Sequence, residues 1–475
     1  MKKRSLVICA LAALVTAGVL AGCGNNYYFA GRILPPSGIA NRVLIAIQNP
    51  STASKGLLQF VDAFYDIRQS YNDKIAGFSI SGYSGALPST IQNMPEEQIG
   101  AVYGSGDGSF TLVNYAKETT SGAAATLPGL SSSVFIARTG TYVIAANQQA
   151  QVLTVINKAT GGTYSLSLPG VNHVSMNPGG TVMMAFVQNS NYAYYPRKLT
   201  SADSTALAAS YLATQTWPPP YVDCEPKNLP GMCLAQVQDP SGNPISFNRP
   251  VKAIFSSDGS SAYILSCGPE CGGTASSVSI LPVGPMNVAD GQQSGSIPTQ
   301  SAMVTIPVPG GASNALEDST TLYVLGEQLM PDGLFTGNIT PVNLTNNTAG
   351  AAISVSDSAP GQRTRMVLGD NNTLWVGGIR CTEGERFATG QPYGCLTMFD
   401  TGTNTVTMVE PYQGDLTGVA AVLLLNKVYI AEGGQVYIYS TSDGSAINNF
   451  YVTVTGTAYD VAYMDAQSDG DNTVY

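Results

Sequence analysis

The sequence contains a single histidine, His173, and this limits the chemistry available to the chain. A Ser-His-Asp hydrolase needs a histidine as its general base, and a catalytic zinc site generally takes more than one. We therefore predict no catalytic residue, no metal site and no cofactor. His173 is interpreted as a candidate ligand-binding residue.

The start of the chain has the three parts of a secretory signal peptide: the basic residues 2–4, an apolar run over 5–20, and small residues at the end of that run. The run is shorter than the ~20 residues that a membrane-spanning helix needs. Leu-Ala-Gly-Cys at 20–23 resembles the bacterial lipobox. That resemblance implies cleavage before Cys23 and lipid on its thiol. The alternative is an ordinary signal peptide followed by a chance cysteine.

Six further cysteines occur as three close pairs, in segments rich in Gly, Pro and charged residues: Cys224 with Cys233, Cys267 with Cys271, and Cys381 with Cys395. An even number of cysteines in an exported chain is typical of disulfides, and pairing between neighbours is the simplest of the many connectivities. The alternative is zinc, although the sequence has no Cys-x-x-Cys pair and no histidine beside these cysteines. We predict three local disulfides.

The composition indicates a β protein that does not bind nucleic acid. Charged residues make up 11% of the chain, and Gly (51) and Tyr (25) are abundant, together with many Thr, Ser and Val. Loss of the basic residues 2–4 leaves 18 basic and 31 acidic side chains, a net charge of −13. Non-specific binding to phosphate backbones needs cationic clusters, and none is present.

The chain repeats a unit of four short strands separated by turns, most clearly over residues 131–170. One unit cannot bury both faces of its small sheet, but radial stacking of such units does so and produces a β-propeller. We predict an all-β propeller of eight blades, each a four-stranded antiparallel sheet. Seven units start near residues 87, 131, 171, 248, 311, 361 and 414. The eighth is formed by strands from both ends of the chain, and seven blades is the alternative because the unit at 87–130 is weak.

One repeat carries a more specific pattern. TYVIAANQQAQVLTVINKATGG, residues 141–162, resembles the YVTN-type β-propeller repeat. Asn157 replaces the usual Asp of that pattern, and in the unit that starts near 414 Glu432 stands where Asn is expected. The resemblance implies a propeller architecture and no particular reaction.

In a propeller the innermost strand of each blade lines a central channel, and its leading end lies at one mouth of that channel. His173 occupies such a leading end, and Lys252, Asn314, Arg365 and Asp460 hold equivalent places in other units. We expect these five polar residues to form a ring that binds an anion or a sugar. The alternative is a set of solvated strand ends without a ligand.

The predicted organisation is a signal peptide at 1–22, a lipid-anchored linker at 23–41 and one propeller domain at 42–475. The unit that starts near 171 carries an insertion at about 188–247. A loop of this length is either a contact surface or a cover for one face of the propeller.

We expect a lipoprotein of the bacterial cell envelope that binds a protein, a glycan or a small ligand without catalysis. The membrane is contacted through lipid on Cys23, and the outer membrane or cell surface is favoured because Gly24, not Asp, follows that cysteine. Two alternatives stay open. One is a propeller enzyme of the lactonase or sugar/quinone oxidoreductase kind, and the other is a subunit of an outer-membrane assembly complex. Fold and anchor do not decide between them.

Overall fold

Short runs of Val, Ile, Tyr and Thr, broken by Gly, Asn and Asp turns, form eight small antiparallel sheets in the computed structural model. The structure describes residues 32, 34–49, 56–66, 78–127, 130–288, 299–300, 302–358, 363–382, 384–447 and 451–468. Cys23 and the predicted signal peptide lie outside these residues. The first strands of successive sheets contact one another around a channel, so the prediction of an eight-bladed propeller is confirmed.

Each blade is given from its inner strand outward. Blade 2 consists of Pro88–Met94, Ile99–Gly104, Ser109–Asn114 and Thr119–Thr126. Blade 3 consists of Ser133–Ile136, Tyr142–Asn147, Val152–Asn157 and Gly162–Ser167. Blade 4 consists of Val171–Met176, Met183–Val187, Ala193–Lys198, Met232–Gln236 and Tyr221–Glu225. Blade 5 consists of Pro250–Phe255, Ser261–Ser266, Ser277–Pro282 and Val304–Pro307. Blade 6 consists of Asn314–Asp318, Thr321–Leu329, Phe335–Asn343, Thr348–Ala349 and Ile353–Ser358. Blades 7 and 8 consist of Arg363–Gly369, Thr373–Gly378, Leu396–Asp400 and Thr405–Val409; and Leu416–Val422, Lys427–Glu432 and Gln435–Ser440.

Blade 1 joins the two ends of the chain and closes the ring. Its inner strand is Thr457–Tyr463, which pairs with Arg42–Gln48, and that strand pairs in turn with Leu57–Asp62. Backbone hydrogen bonds from Phe60 to Phe78 and from Ile80 to Leu58 add a short outer edge. Closure by strands from both ends removes the open edge that an unclosed ring of sheets would present.

The apolar core is divided among the seams between neighbouring blades. Trp375 of blade 7 is fully buried and packs in one cluster with Leu416 and Tyr439 of blade 8. Because a second strand is covered on both faces, its buried residues are consecutive rather than alternating, as in residues 43–47 of blade 1. Helices are few: α-helices over Ser201–Thr214 and Glu385–Ala388, and 3-10 turns over Pro95–Glu97, Gly268–Cys271 and Gly284–Met286. None of the helices in the described part is long and apolar enough to cross a membrane.

The insertion of blade 4 extends that blade's sheet. After the third strand, the helix Ser201–Thr214 begins at Thr200, whose hydroxyl oxygen accepts a hydrogen bond from the N–H of Asp203 at 3.1 Å. The chain then returns as an antiparallel pair of strands, of which Met232–Gln236 joins the edge of the blade. The outermost part of this blade is therefore ordered by sheet hydrogen bonds.

The three disulfides join neighbouring cysteines, as predicted: Cys224 with Cys233, Cys267 with Cys271, and Cys381 with Cys395. The second and third of them close loops between the second and third strands of blades 5 and 7. Both loops lie at the end of the propeller where the inner strands begin, which we call the mouth face. Disulfides are typical of oxidising compartments.

A buried arginine ties the two ends of the chain together on the face opposite the mouth. Arg42 is 2% exposed, and its guanidinium donates to both carboxylate oxygens of Asp465 at 2.9 and 2.6 Å. It also donates to the carbonyl of Tyr115 at 2.8 Å and to Glu118 at 2.9 Å, both in blade 2. Glu118 accepts in addition from the N–H of Ser37 at 2.9 Å. The network links the segment before blade 1, the segment after it and the neighbouring blade.

Replacing Arg42 by Met is expected to destabilise the protein by about 3–5 kcal/mol, because two buried carboxylates lose their shared cation. The matched control is Arg138→Met, since Arg138 is 31% exposed and pairs with Glu96 and Glu97 at 3.5 and 3.4 Å. An exposed pair of this kind contributes about 0–1 kcal/mol. Urea unfolding measures both free energies. Equal losses in the two variants would contradict a role for Arg42 in ring closure.

Candidate functional site

Each inner strand contributes one residue to a ring close to the mouth face. These residues pair in register with equivalent positions near the ends of the second strands. In six blades the pairing shifts by one residue beside this position, as between Val171 and His173 and between Pro250 and Lys252. A bulge of this kind re-aims the side chain that follows it. The ring consists of Thr90, Ser133, His173, Lys252, Asn314, Arg365, Gly418 and Asp460.

All five residues singled out from the sequence lie in this ring. The other three members, Thr90, Ser133 and Gly418, were missed because they are short or lack a side chain, and only the strand pairing reveals their positions. At Gly418 the missing side chain has a structural reason. A Cβ atom there would lie 2.6 Å from the Asp460 carboxylate, which occupies that space.

Several ring side chains bond to the inner strand of the next blade. The Asp460 carboxylate accepts from the N–H of Ile91 at 2.8 Å, and the Ser133 hydroxyl oxygen accepts from the N–H of Val174 at 3.2 Å. Arg365 Nε donates to the carbonyl of Thr417 at 2.8 Å. An inner strand has no neighbouring strand on its channel side, so its backbone groups need such partners. The ring therefore joins the blades to one another.

The ring borders a cavity of about 870 Å³ on the mouth face, a volume typical of ligand pockets. His173, Lys252, Asn314 and Arg365 line this cavity. Asp460 is 2% exposed, and its carboxylate bonds to the N–H groups of Ile91 and Val461. Four of the five predicted residues thus meet at one cavity, whereas Asp460 serves the contact between blades 1 and 2.

Lys252 and Arg365 bring positive charge to one side of the cavity. Lys252 Nζ donates to the amide oxygen of Asn314 at 2.7 Å, across the seam between blades 5 and 6. Burial, and to a smaller extent the charge of Arg365, lower the pKa of Lys252 to about 7. An anion placed between the two cations would offset this repulsion and favour the charged form of Lys252.

His173 lines the same cavity. Its Nε2 atom is buried and makes no hydrogen bond within the described part of the chain. Burial lowers the pKa of His173 to about 3, and the charge of Lys252 adds to this effect, so the imidazole is neutral near pH 7. A buried polar atom without a partner costs about 1–3 kcal/mol. A ligand hydroxyl or a water molecule at Nε2 would remove that cost.

The rim on the blade 5 and 6 side is held by the short disulfide loop Cys267–Cys271. Within it Glu270 accepts a hydrogen bond from the N–H of Leu329 at 3.1 Å, at the end of the long second strand of blade 6. Arg249 Nε donates to the carbonyl of Gly272 at 3.2 Å. Both Glu270 and Arg249 line the cavity, so the disulfide helps to fix two charged groups at its edge.

The opposite wall, from blades 2 to 4, is uncharged among the described residues. It presents hydroxyl and amide groups together with three aromatic rings: Ser89, Thr90, Ser131, Ser132, Ser133, Asn172, Tyr103, Phe135 and Phe186. The cavity thus has a charged side and a hydroxyl-rich side. Among the described residues no group of three or more His, Cys, Asp or Glu is arranged to hold a metal ion.

A second polar feature of the mouth face is a carboxyl pair in the seam between blades 7 and 8. Glu432 is fully buried, and neither of its carboxyl oxygens makes a hydrogen bond of normal geometry within the described residues. Its pKa is raised to about 8, mainly by burial and also by the charge of Glu410, while the nearby N–H of Gln413 opposes both effects. The sequence indicated Glu432 only as a departure from a repeat pattern.

No protein-family model and no curated protein matches this sequence. Among solved structures, the chain is similar to the dihydro-heme d1 dehydrogenase NirN in complex with DHE, with 10% identity, a TM-score of 0.51, and coverage of 89% of this chain and 75% of that one. It also matches Kuenenia stuttgartiensis hydrazine synthase (10% identity, TM-score 0.44, covering 77% and 100%) and the Pseudomonas aeruginosa periplasmic gluconolactonase PpgL (14%, 0.40, covering 89% and 98%). At these identities the likeness is one of fold alone.

Glu432→Gln is expected to stabilise the protein increasingly as the pH rises from 5 to 8. The pKa of Glu432 in the folded state lies above the ordinary 4.5. Between pH 5 and 8 the Glu432 carboxyl group therefore loses its proton in the unfolded chain and keeps it in the folded one. The free energy of unfolding of the wild type falls across this interval for that reason. The gain near pH 8 should be roughly 3 kcal/mol. Urea unfolding at several pH values measures it, with the exposed Glu385→Gln as the control. A gain that does not change with pH would contradict a raised pKa for Glu432.

Proposed function

We propose that this protein is a non-catalytic binding module of the bacterial cell envelope, tethered by lipid on Cys23, and that the mouth cavity is its ligand site. The observation that carries the ligand site is the grouping of Lys252, Arg365 and His173 at one cavity of about 870 Å³. The expected ligand is a small anion that bonds to these groups.

The protonation state of the histidine and the hydrogen bonds of the acidic residues favour ligand binding over proton-transfer chemistry at this cavity. The only histidine is neutral near pH 7, with its pKa lowered to about 3, and so it does not act as a general acid there. Asp460 is committed to backbone N–H groups, and Glu270 accepts from the N–H of Leu329. These contacts give Asp460 and Glu270 structural partners.

The proposed tether, which runs from Cys23 to the propeller, joins the propeller on the face opposite the cavity. Arg32 donates to the carbonyls of Pro95 and Ala466 at 2.6 and 3.0 Å. Pro95 follows the trailing end of the inner strand Pro88–Met94, which is the end away from the mouth. Cys23 lies nine positions before Arg32, a reach of at most about 30 Å. A lipid on Cys23 would therefore hold the opposite face towards the membrane and leave the mouth accessible.

The ligand site is tested by thermal unfolding of the wild type with acetate, succinate, glucuronate and inorganic phosphate. We expect at least one of these anions to raise the melting temperature by several degrees at millimolar concentration, because a ligand that binds the folded state stabilises it by mass action. Lys252→Met and Arg365→Met should each remove this rise, and Arg138→Met should retain it. A rise that survives both cavity variants, or no rise with any anion, would contradict the proposed site.

The tether and its orientation are tested with the purified, lipid-bearing protein in vesicles that carry a quencher on the lipid headgroups. Cys23→Ala should abolish vesicle binding. A fluorophore at Leu424→Cys should be quenched more than one at Leu329→Cys. The first residue is 76% exposed in a turn on the opposite face, and the second is 51% exposed at the mouth face. Vesicle binding by Cys23→Ala would refute the anchor, and stronger quenching at Leu329 would refute the orientation.

A further inference from the structure

The charges that line the mouth cavity nearly cancel. Among the described lining residues the cations are Arg249, Lys252 and Arg365, and the carboxylates are Glu270 and Glu327. With Lys252 protonated the sum is one positive charge, which matches a monoanion. A dianion would meet two carboxylates in the same cavity, and each close like-charge contact is unfavourable. A single carboxylate is therefore the anion that fits best.

The positive groups occupy only one side. Lys252 and Arg365 belong to blades 5 and 7, and Asn314 lies between them in blade 6, with its amide oxygen bonded to Lys252. The guanidinium of Arg365 is fixed through Nε to the carbonyl of Thr417. This bond leaves its terminal nitrogens as donors, and a guanidinium binds a carboxylate through a planar pair of such donors.

The other side offers hydrogen bonds of both kinds without charge. Ser131, Ser132 and Ser133 form a run of hydroxyl groups on blade 3, and Asn172 and His173 follow on blade 4. The Ser132 hydroxyl donates to the carbonyl of Asn172 at 2.9 Å, and the Ser133 hydroxyl oxygen accepts from the N–H of Val174 at 3.2 Å. Hydroxyl oxygens accept as well as donate, so a ligand whose far end is a set of hydroxyl groups finds partners in the exposed side chains of this wall, Ser132 and Asn172.

Aromatic rings line the same wall. Phe135, Phe186 and Tyr103 border the cavity, and Tyr103 accepts a hydrogen bond through its hydroxyl oxygen from the N–H of Ser131 at 2.8 Å. The three rings are only 8, 1 and 2% exposed, so they form an apolar layer behind the hydroxyl groups of this wall.

We propose that the cavity takes a saccharide carrying a carboxylate, with the carboxylate held by Lys252 and Arg365 and the hydroxyl groups directed at His173, Asn172 and the serines of blade 3. This inference rests on the proposed function, since it names the ligand class of the same site. The size of the cavity accommodates more than one sugar residue. A single uronate is then the smallest probe that carries both features.

The test compares three ligands of similar size by isothermal titration calorimetry at pH 6.5: glucuronate, glucose, which lacks the carboxylate, and cyclohexanecarboxylate, which lacks the hydroxyl groups. Wild-type protein should bind glucuronate at least about 10-fold more tightly than either of the others, because a charge-assisted hydrogen bond contributes at least that much. Equal affinity for glucose would overturn the role of the carboxylate. Equal affinity for cyclohexanecarboxylate would overturn the role of the hydroxyl groups.

Substitutions at Arg365 and His173 assign the contacts, with Arg138→Met as the control. Arg365→Met should lower the preference for glucuronate over glucose, and Arg365→Lys should restore part of it, whereas Arg138→Met should leave it unchanged. His173→Leu should lower the affinity for glucuronate by about 10-fold and leave the affinity for cyclohexanecarboxylate unchanged. Thermal unfolding of each variant checks that it is folded.

The outcomes separate this inference from the proposed function. If another anion, such as inorganic phosphate, binds in an Arg365-dependent manner and glucuronate does not, the ligand site stands and the saccharide class is wrong. If no probe binds the folded wild type in an Arg365-dependent manner, both are wrong.

Discussion

The inner strand of a propeller blade has no neighbouring strand across the channel, and this constraint determines much of the structure described here. Its backbone groups need hydrogen-bond partners that a sheet cannot supply. Side chains from the preceding blade provide several of them, as Asp460 does for Ile91 and Ser133 for Val174. Because the blades share one register, these side chains fall at one height and form a ring. The polar side chains of the ring are thus needed first to supply hydrogen bonds to the inner strands.

Two cations of this protein show how structural and binding roles differ. Arg42 is surrounded by Asp465, Glu118 and a backbone carbonyl, an arrangement in which the buried charge has close opposite partners. Lys252 lies near a second cation, Arg365, and burial together with that charge lowers its pKa to about 7. Arg42 therefore closes the ring, whereas an anion in the cavity would favour the charged form of Lys252.

The sequence alone predicted the propeller architecture and five of the eight residues of the ring. Repeated strand and turn patterns predicted eight blades with the chain ends in one blade, and the cysteine spacing predicted the three disulfides. Blade 2 was the weakest unit because its outer strand, Thr119–Thr126, has Ser, Gly and Ala at its centre and contains no Val, Ile or aromatic residue. The structure nevertheless gives it four strands, since the packing of neighbouring blades outweighs local propensity. The hydroxyl-rich wall and the Glu432–Glu410 pair depend on contacts between blades, and a single sequence does not reveal which residues of different units meet.

The central claim is that the ring holds a ligand at the mouth cavity, and His173 offers the most direct view of it. As the only histidine in the chain, it gives imidazole signals that need no assignment in the nuclear magnetic resonance spectrum of protein labelled with nitrogen-15 histidine. The account predicts a neutral imidazole from pH 8 down to about pH 4, in line with a lowered pKa, and a change in the Nε2 shift when glucuronate or another cavity-binding anion is added. A histidine that titrates near its ordinary 6.5, with signals unaffected by every anion tested, would contradict the account.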